Sequence, residues 1–222
     1  RVGSHRRPLR HLAAIPMTYT EDASLPANSD RSDGTIINAL SIDVEDYFQV
    51  WALSPRFPRE SWDAIPMRVE DNVDRILALL AQHDIKATFF TLGYVAKRCP
   101  RIVRKIVEGG HELASHGYNH QLATDLTPAA FTADLRAAKD ELEQLAGQAV
   151  IGYRAPSFSI GPDNLWAFDC IAQTGHRYSS SIYPIRHDLY GMPDAPRFSH
   201  SSRPGLLEIP ITTVRMRGKN LP

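Results

Sequence analysis

Residues 36–48 read IINALSIDVEDYF and join an apolar strand to a cluster of acids. The run from Ile36 to Ile42 is mostly apolar and partly β-branched, a composition typical of a strand that is buried on both faces. Three carboxylates follow within four positions, at Asp43, Glu45 and Asp46. At the end of a buried strand such acids need a cation or an arginine to neutralise them, whereas on an exposed turn they would have no special role.

Downstream of this stretch, strand and helix patterns alternate along the chain. Short apolar runs predict strands at 86–93, 111–115, 150–153, 178–182 and 206–211. Apolar residues at helical spacing predict helices over 69–82, from Pro100 to Gly109, from Thr127 to Gly147 and from Gly161 to Gly175. Because strands that alternate with helices pair in parallel, the sequence predicts an α/β fold with functional residues at the carboxyl ends of the strands.

Two further polar clusters follow predicted strands. His116 and His120 come after the strand at 111–115, and Arg154 comes after the strand at 150–153. Histidines four residues apart share one face of a helix, and a tight turn can also bring them together. With one carboxylate they would supply the three protein ligands of a catalytic zinc site that keeps one position open. A guanidinium at the same edge can hold a carboxylate through two parallel hydrogen bonds.

Composition excludes several classes of protein. The 25 Lys and Arg residues balance 25 Asp and Glu residues, which argues against a nucleic-acid binder and against a polybasic membrane protein. No apolar run approaches the roughly 18 residues of a transmembrane segment, and the basic start of the chain lacks the apolar core of a signal peptide, so a cytoplasmic protein is expected. Residues 1–34 are polar and aperiodic, which predicts a disordered or loosely attached leader before a domain over 35–222.

Taken together and in this order, the motifs resemble those of the polysaccharide deacetylases of carbohydrate esterase family 4. The matching stretches are Ser41–Phe48, Lys86–Gly93, Gly110–His120 and Gly152–Phe158. The form of the first stretch and the segment SSIYPIRHD at 180–188 look closest to the branch linked to bacterial exosortase and exopolysaccharide systems. The motifs are specific as a set, although each of them alone is not.

The resemblance implies an irregular, incomplete (β/α) barrel that removes N-acetyl groups from the amino sugars of a bacterial polysaccharide. Asp43 matches the catalytic base of the family, and Arg154 matches the arginine that holds this base. His116 and His120 match two metal ligands, and the metal is expected to be zinc. The implied partners are the N-acetylated polysaccharide and the exopolysaccharide machinery.

The chain departs from the pattern of the family in its motifs. Val44 stands where most members have a second, metal-binding acid. The third ligand is therefore expected to be Glu45, which shares a strand face with Asp43, or Asp46, which requires the chain to turn. Ser157 stands where the family usually has an aromatic residue; its backbone N–H matches an oxyanion donor, and it is expected to contact the substrate together with its neighbour Pro156.

The general acid of the family, a late histidine, has no recognisable counterpart. Only residues 212–222 follow the last predicted strand, and they contain no histidine, which predicts a domain truncated at its C-terminus. His187 is then a candidate substrate contact or general acid. The alternative is a structural histidine that pairs with Asp188. Two other functions remain open at this point: a non-catalytic glycan-binding domain of the same fold, and a small-molecule amidohydrolase.

Overall fold

The computed structural model describes residues 39–222, and the predicted leader and the start of the first predicted strand lie outside this range. The main sheet consists of β1 (Ser41–Val44), β2 (Thr88–Thr91), β3 (Glu112–Ser115), β4 (Gly152–Tyr153), β5 (Tyr178–Ser179), β6 (His200–Arg203) and β7 (Leu206–Glu208). The helices are α1 (Val69–Gln82), α2 (Gly93–Arg98), α3 (Pro100–Glu108), α4 (Pro128–Ala146) and α5 (Ala167–Gln173). A separate hairpin is formed by β8 (Val214–Met216) and β9 (Lys219–Leu221).

The main sheet is mostly parallel, as the alternation of strands and helices predicts. Its strand order is β1-β2-β3-β4-β5-β7-β6, and every neighbouring pair is parallel except β6 with β7. Within the described part of the chain, β1 and β6 lie at the two edges of the sheet and do not pair with each other. The α/β fold class is confirmed, and the open sheet agrees with the incomplete barrel that the family resemblance implies.

The three longest helices begin and end where their sequence signals place them. Helix α1 buries Val69, Val73 and Leu80 at helical spacing. Helix α4 begins at its cap Thr127, whose hydroxyl accepts a hydrogen bond from the Ala130 N–H at 3.2 Å. It ends at Gly147, whose φ of 66° is the left-handed conformation that glycine adopts at little cost.

The predicted helix from Gly161 to Gly175 is shorter than expected, because the side chain of Asn164 hydrogen-bonds to the backbone at its start and a 3₁₀ turn forms there instead of an α-helical one. Asn164 Oδ1 accepts from the Gly161 N–H at 2.7 Å, and Asn164 Nδ2 donates to the Ser159 carbonyl at 2.8 Å. Residues Pro162–Asn164 consequently form a 3₁₀ turn, and the α-helix covers only Ala167–Gln173.

Three apolar clusters hold the edge of the sheet where the polar motifs lie. One cluster packs α1, α2 and α3 against β1, β2 and β3, and a second surrounds α5, β4 and β7. Helix α4 contributes side chains to both clusters. The third is an aromatic cluster of Phe48, Trp62 and Tyr94, which packs beside the segment that follows β1. The site residues therefore extend from strands that are fixed by a packed core.

His176 is a buried titratable group of this core, remote in sequence from the polar motifs. Burial lowers the pKa of His176 to about 4, and the positive charge of Lys139 acts in the same direction, against smaller opposing effects of the Ile171 backbone and of Glu143. Its Nδ1 lies 2.9 Å from Thr174 Oγ1, while its Nε2 has no hydrogen-bond partner among the described residues. The ring is therefore neutral at pH 7 and resists gaining a proton in the folded state.

We expect acid to destabilise the fold through His176. An unfolded histidine with a pKa near 6.5 binds a proton before the folded one does, so stability is present above pH ~6.5 and is lost as the pH falls toward ~4, by about 3 kcal/mol. Urea unfolding of wild type and His176→Gln at pH 7 and pH 4 measures this difference, and the variant should lose less stability. The exposed His83 provides the control, since the free energy of unfolding of His83→Gln should depend on pH as that of wild type does. If wild type and His176→Gln lost the same free energy of unfolding between pH 7 and pH 4, His176 would not be the cause of the acid sensitivity.

Candidate active site

The register of the parallel strands brings the predicted polar residues to one edge of the sheet. The strands β1 to β4 pair in one row through Val44, Thr91, Ser115 and Tyr153. Asp43, His116 and Arg154 are each the immediate sequence neighbour of a residue in this row. Three sequence motifs that are more than a hundred residues apart at their extremes therefore meet in one place.

Arg154 holds Asp43 through a single short ion pair. Its Nη1 lies 2.7 Å from Asp43 Oδ1, and its Nη2 donates to Ser41 Oγ at 2.9 Å and to Ser180 Oγ at 3.0 Å. Its Nε donates to the Ser180 carbonyl at 3.1 Å, and its guanidinium lies 4.0 Å from the centre of the Phe90 ring. The predicted pairing of Arg154 with an acid is thus present, but only one of its hydrogen bonds goes to the carboxylate, because serines accept the others. Asp43 Oδ2 remains free of the arginine.

The segment after β5 positions this arginine, and sequence reasoning assigned it no role. Glu208, on β7, accepts hydrogen bonds from the N–H groups of Ser181 and Ile182 through Oε1, both at 2.8 Å. Ser181 Oγ in turn accepts from the Ala155 N–H at 2.9 Å. Burial raises the pKa of Glu208, which is fully enclosed. Two signals in the sequence pointed to this support: an acid, Glu208, inside an apolar strand, and the run of serines at 179–181 in the preceding predicted strand.

Glu45, His116 and His120 form a group that could hold a metal ion. One ligand atom from each of the three residues lies within 4.8 Å of the other two. His116 Nδ1 lies 2.9 Å from the Arg154 carbonyl, which orients the ring so that Nε2 faces Asp43 Oδ2 at 4.0 Å. A backbone partner on the second ring nitrogen is the usual way in which a metal-binding histidine is oriented.

A tight turn, rather than a helix, brings the two histidines together. Gly117 has a φ of 77°, and a Cβ at this position would lie 2.8 Å from Asp134 Oδ2. The same Asp134 oxygen accepts from the Tyr118 N–H at 2.9 Å, and His120 itself has a positive φ of 53°. Glycine is therefore required at position 117 for the turn to close over Asp134.

A divalent cation would stabilise the close contact within this group. His120 Nε2 lies 2.8 Å from Glu45 Oε2, yet that carboxylate oxygen and His120 Nδ1 are buried without an aligned hydrogen-bond partner among the described residues. A carboxylate oxygen and an unprotonated imidazole nitrogen this close need a proton or a cation to stabilise them. Two imidazoles and one carboxylate are also the donor set that zinc and similar metals prefer.

The charge states of the group favour metal binding as well. Burial raises the pKa of Glu45, but the contact with His120 and the proximity of His116 outweigh it and hold this pKa below its ordinary value. Burial lowers the pKa of His116, although the nearby Asp43 opposes the shift. An ionised carboxylate and a neutral imidazole are the forms that bind a metal.

Asp46, the alternative third ligand, lies outside this group, because backbone N–H groups occupy its oxygens. Its Oδ1 accepts from Tyr47 at 2.9 Å, and its Oδ2 accepts from Arg68 at 2.5 Å and from Val69 at 2.9 Å. Asp46 thereby caps the 3₁₀ turn Tyr47–Gln49 and the start of α1, and the chain turns it away from the histidines.

The predicted substrate contacts lie on the loops that follow β4 and β5. Pro156 is buried and begins a 3₁₀ turn in which Ser157 has a strained φ of 51°. His187 is exposed; its ring stacks on Tyr190 with centres 3.9 Å apart, and its Nδ1 accepts from the Leu189 N–H at 3.2 Å. No pairing of His187 with Asp188 is present among the described residues, so that structural alternative is not supported.

A shallow cleft of about 210 Å³ connects these loops. His187 and Tyr190 line it together with Phe158, whose ring lies 5.7 Å from the Arg154 guanidinium. The ring of Phe158 therefore links the cleft that His187 lines to the Arg154 guanidinium.

Comparison with known proteins agrees with this geometry. A family model described as "Polysaccharide deacetylase" matches residues 61–178, which is more than half of the chain. The chain belongs to the polysaccharide deacetylase family. The matched range contains His116, His120 and Arg154, whereas Asp43 and Glu45 precede it. A second family model, described as a domain of unknown function (DUF3473), matches residues 180–222.

Individual relatives are similar to this chain over part of its length. It is 35% identical over 94 residues to the peptidoglycan-N-acetylglucosamine deacetylase of Bacillus cereus, a match that covers 42% of this chain and 34% of that protein. It is 29% identical over 108 residues to the chitooligosaccharide deacetylase of a Bradyrhizobium species, covering 49% and 47%, respectively. A crystal structure from Mycobacterium smegmatis, described as a polysaccharide deacetylase, aligns with a TM-score of 0.61 and 27% identity over 78% of this chain and 58% of that chain.

These matches cover only part of the relatives. The chain spans about a third of the length of the first curated relatives it matches, with shares of 32%, 28% and 34%. Within residues 39–222, no helix has both the length and the hydrophobicity needed to cross a membrane.

Proposed function

We propose that this chain removes N-acetyl groups from the amino sugars of a bacterial polysaccharide with the help of a divalent metal, for which we assign zinc. The observation that carries the proposal is the position of the Asp43–Arg154 ion pair directly beside the group formed by Glu45, His116 and His120. A carboxylate base next to a three-ligand metal site is an arrangement suited to metal-assisted amide hydrolysis.

Glu45, His116 and His120 would hold the metal, and Asp43 would serve as the base. A bound divalent metal supplies an acidified water and a Lewis acid for the acetyl carbonyl. Asp43 Oδ1 is occupied by Arg154, so Oδ2, which faces His116, is the atom that accepts the proton of the attacking water. Arg154 orients this carboxylate, and its own orientation depends on Ser41 and Ser180.

The loop at 156–158 and His187 would contact the sugar. Ser157 follows the arginine motif in a left-handed conformation, which turns the backbone sharply at the point where the resemblance places an oxyanion donor. A backbone N–H is suited to stabilise the negative charge that develops on the carbonyl oxygen. His187, on the adjoining cleft, is the proposed contact to the leaving amino sugar. By the form of residues 180–188, we further assign the polysaccharide to an exopolysaccharide system.

The release of acetate from N-acetylated chito-oligosaccharides in the presence of zinc tests the proposal. Wild type should release acetate, and Asp43→Asn should bind the oligosaccharide without releasing it. Binding by wild type with no release from any N-acetylated polymer would instead support a glycan-binding domain. Release from small acetamides alone would support an amidohydrolase of small molecules.

A further inference from the structure

Arg59 lies on an aromatic surface next to the candidate site. It begins the 3₁₀ turn Arg59–Ala64, and its guanidinium carbon lies 4.6 Å from the centre of the Tyr94 ring and 4.9 Å from that of Trp62. Both rings are buried and contact each other edge to face at 5.2 Å. A guanidinium over two fixed rings is oriented by cation–π attraction.

A hydrogen bond ties the same guanidinium to the turn of the metal-binding histidines. Arg59 Nε donates to Asn119 Oδ1 at 3.0 Å, and Asn119 immediately precedes His120. The turn is itself fixed, because the Gly93 and Tyr94 N–H groups donate to the carbonyls of the turn at 2.9 and 3.0 Å. Arg59 therefore lies at the rim of the site with a defined orientation.

No carboxylate of the described residues neutralises the charge of Arg59. Two arginines on the neighbouring helices α2 and α3 do have carboxylate partners: Arg98 lies 3.8 Å from Asp63, and Arg101 lies 2.6 Å from Glu70. Across residues 39–222, no carboxylate pairs with Arg59, and its only hydrogen bond uses Nε. The two terminal nitrogens are thus left to bind a group from outside.

We infer that Arg59 binds a carboxylate of the sugar polymer, so that the substrate is an acidic N-acetylated polysaccharide. The inference rests on the proposed function and specifies its substrate class. The planar pair of N–H groups on the terminal nitrogens matches the two oxygens of a carboxylate. Because the rings and Asn119 already orient the guanidinium, little conformational entropy is lost when the anion binds. The carboxylate would belong to a uronic acid or to a lactyl ether on a sugar near the one that carries the acetamide.

Binding measured without turnover tests the inference. In an Asp43→Asn background loaded with zinc, isothermal titration would compare neutral N-acetylated chitotetraose with two acidic tetrasaccharides. One contains glucuronic acid and N-acetylglucosamine, and the other contains N-acetylmuramic acid, so the two sources of carboxylate are separated. We expect at least one acidic ligand to bind about tenfold more tightly than the neutral one at low salt, and the preference to shrink as salt is added.

Variants of two arginines in the same loop provide the matched comparison. Arg59→Gln should remove the preference and leave the neutral ligand within about twofold of wild type, and Arg59→Lys should retain only part of it. Arg56 is exposed in the same loop without a described side-chain partner, so Arg56→Gln should change neither affinity. Melting curves confirm that each variant is folded. If Arg59→Gln does not fold, Arg59→Lys still allows the comparison.

Two results would overturn the inference: no preference of the Asp43→Asn chain for either acidic ligand, or an equal loss of neutral and acidic binding in Arg59→Gln. Acetate release separates this failure from failure of the proposed function. If acetate is released equally well from neutral and acidic substrates, with or without Arg59, the inference about Arg59 is wrong and the proposed function stands. If the chain binds acidic ligands preferentially through Arg59 but never releases acetate, the proposed function is wrong and the inference about Arg59 stands.

Discussion

Replacing Asp43 by asparagine should lower kcat by about 100- to 10,000-fold, the range expected when a general base is removed. An asparagine oxygen can still accept the hydrogen bond from Arg154 that Asp43 Oδ1 accepts at 2.7 Å. The amide nitrogen would then occupy the place of Oδ2, where it cannot take a proton from water. The comparison of acetate release by purified Asp43→Asn and wild type, at saturating zinc and substrate, measures the effect.

The metal content of the same samples distinguishes a base from a ligand. Asp43→Asn should retain zinc at the wild-type ratio, because the group of Glu45, His116 and His120 is intact. Ser41→Ala offers a milder control: it removes one acceptor of Arg154 and leaves the base in place. Its kcat should fall by less than about tenfold, the effect of one ordinary hydrogen bond. Loss of zinc in Asp43→Asn would show that Asp43 is a ligand and that the proposed roles of the acids are wrong.

Elements with strong local signals were predictable from the sequence. The bounds of α1 follow directly from apolar spacing over 69–82, and those of α4 follow from Thr127 and Gly147. Helix α2 was not predicted, since its six residues are too few to show a helical period. Strand β6 and the hairpin of β8 and β9 were missed as well, because their polar and exposed side chains lack the apolar pattern of a buried strand.

The site shows the same division between local and long-range information. The meeting of Asp43 with Arg154 follows from one rule, that the carboxyl ends of parallel strands share an edge. The choice between Glu45 and Asp46 depended on whether the backbone N–H groups of Arg68 and Val69 would reach one of them. Such a contact joins residues more than twenty positions apart, and no local spacing encodes it. The support of Arg154 by Ser180 likewise depends on how β4 registers with β5.

The second large effect should come from the metal ligands. His116→Ala removes a buried ring that is oriented by the Arg154 carbonyl, and His120 is the only other histidine in the group among the described residues, so no spare ligand replaces the lost ring. The loss of a direct ligand should exceed the about 10- to 100-fold loss of affinity that is typical when only an outer partner is removed. We therefore expect zinc affinity to fall by more than 100-fold, as measured by competition with a chromogenic chelator, and activity to be lost with it.

Two acidic variants decide which carboxylate completes the group. Glu45→Gln should weaken zinc binding strongly, because an amide oxygen carries no charge to offset the cation. Asp46→Ala should leave zinc affinity nearly unchanged and instead lower the free energy of unfolding by about 1–2 kcal/mol, since the start of α1 loses its cap. The opposite pattern, with zinc lost in Asp46→Ala and retained in Glu45→Gln, would make Asp46 the ligand. It would also mean that binding of the metal breaks the hydrogen bonds of Asp46 to Arg68 and Val69.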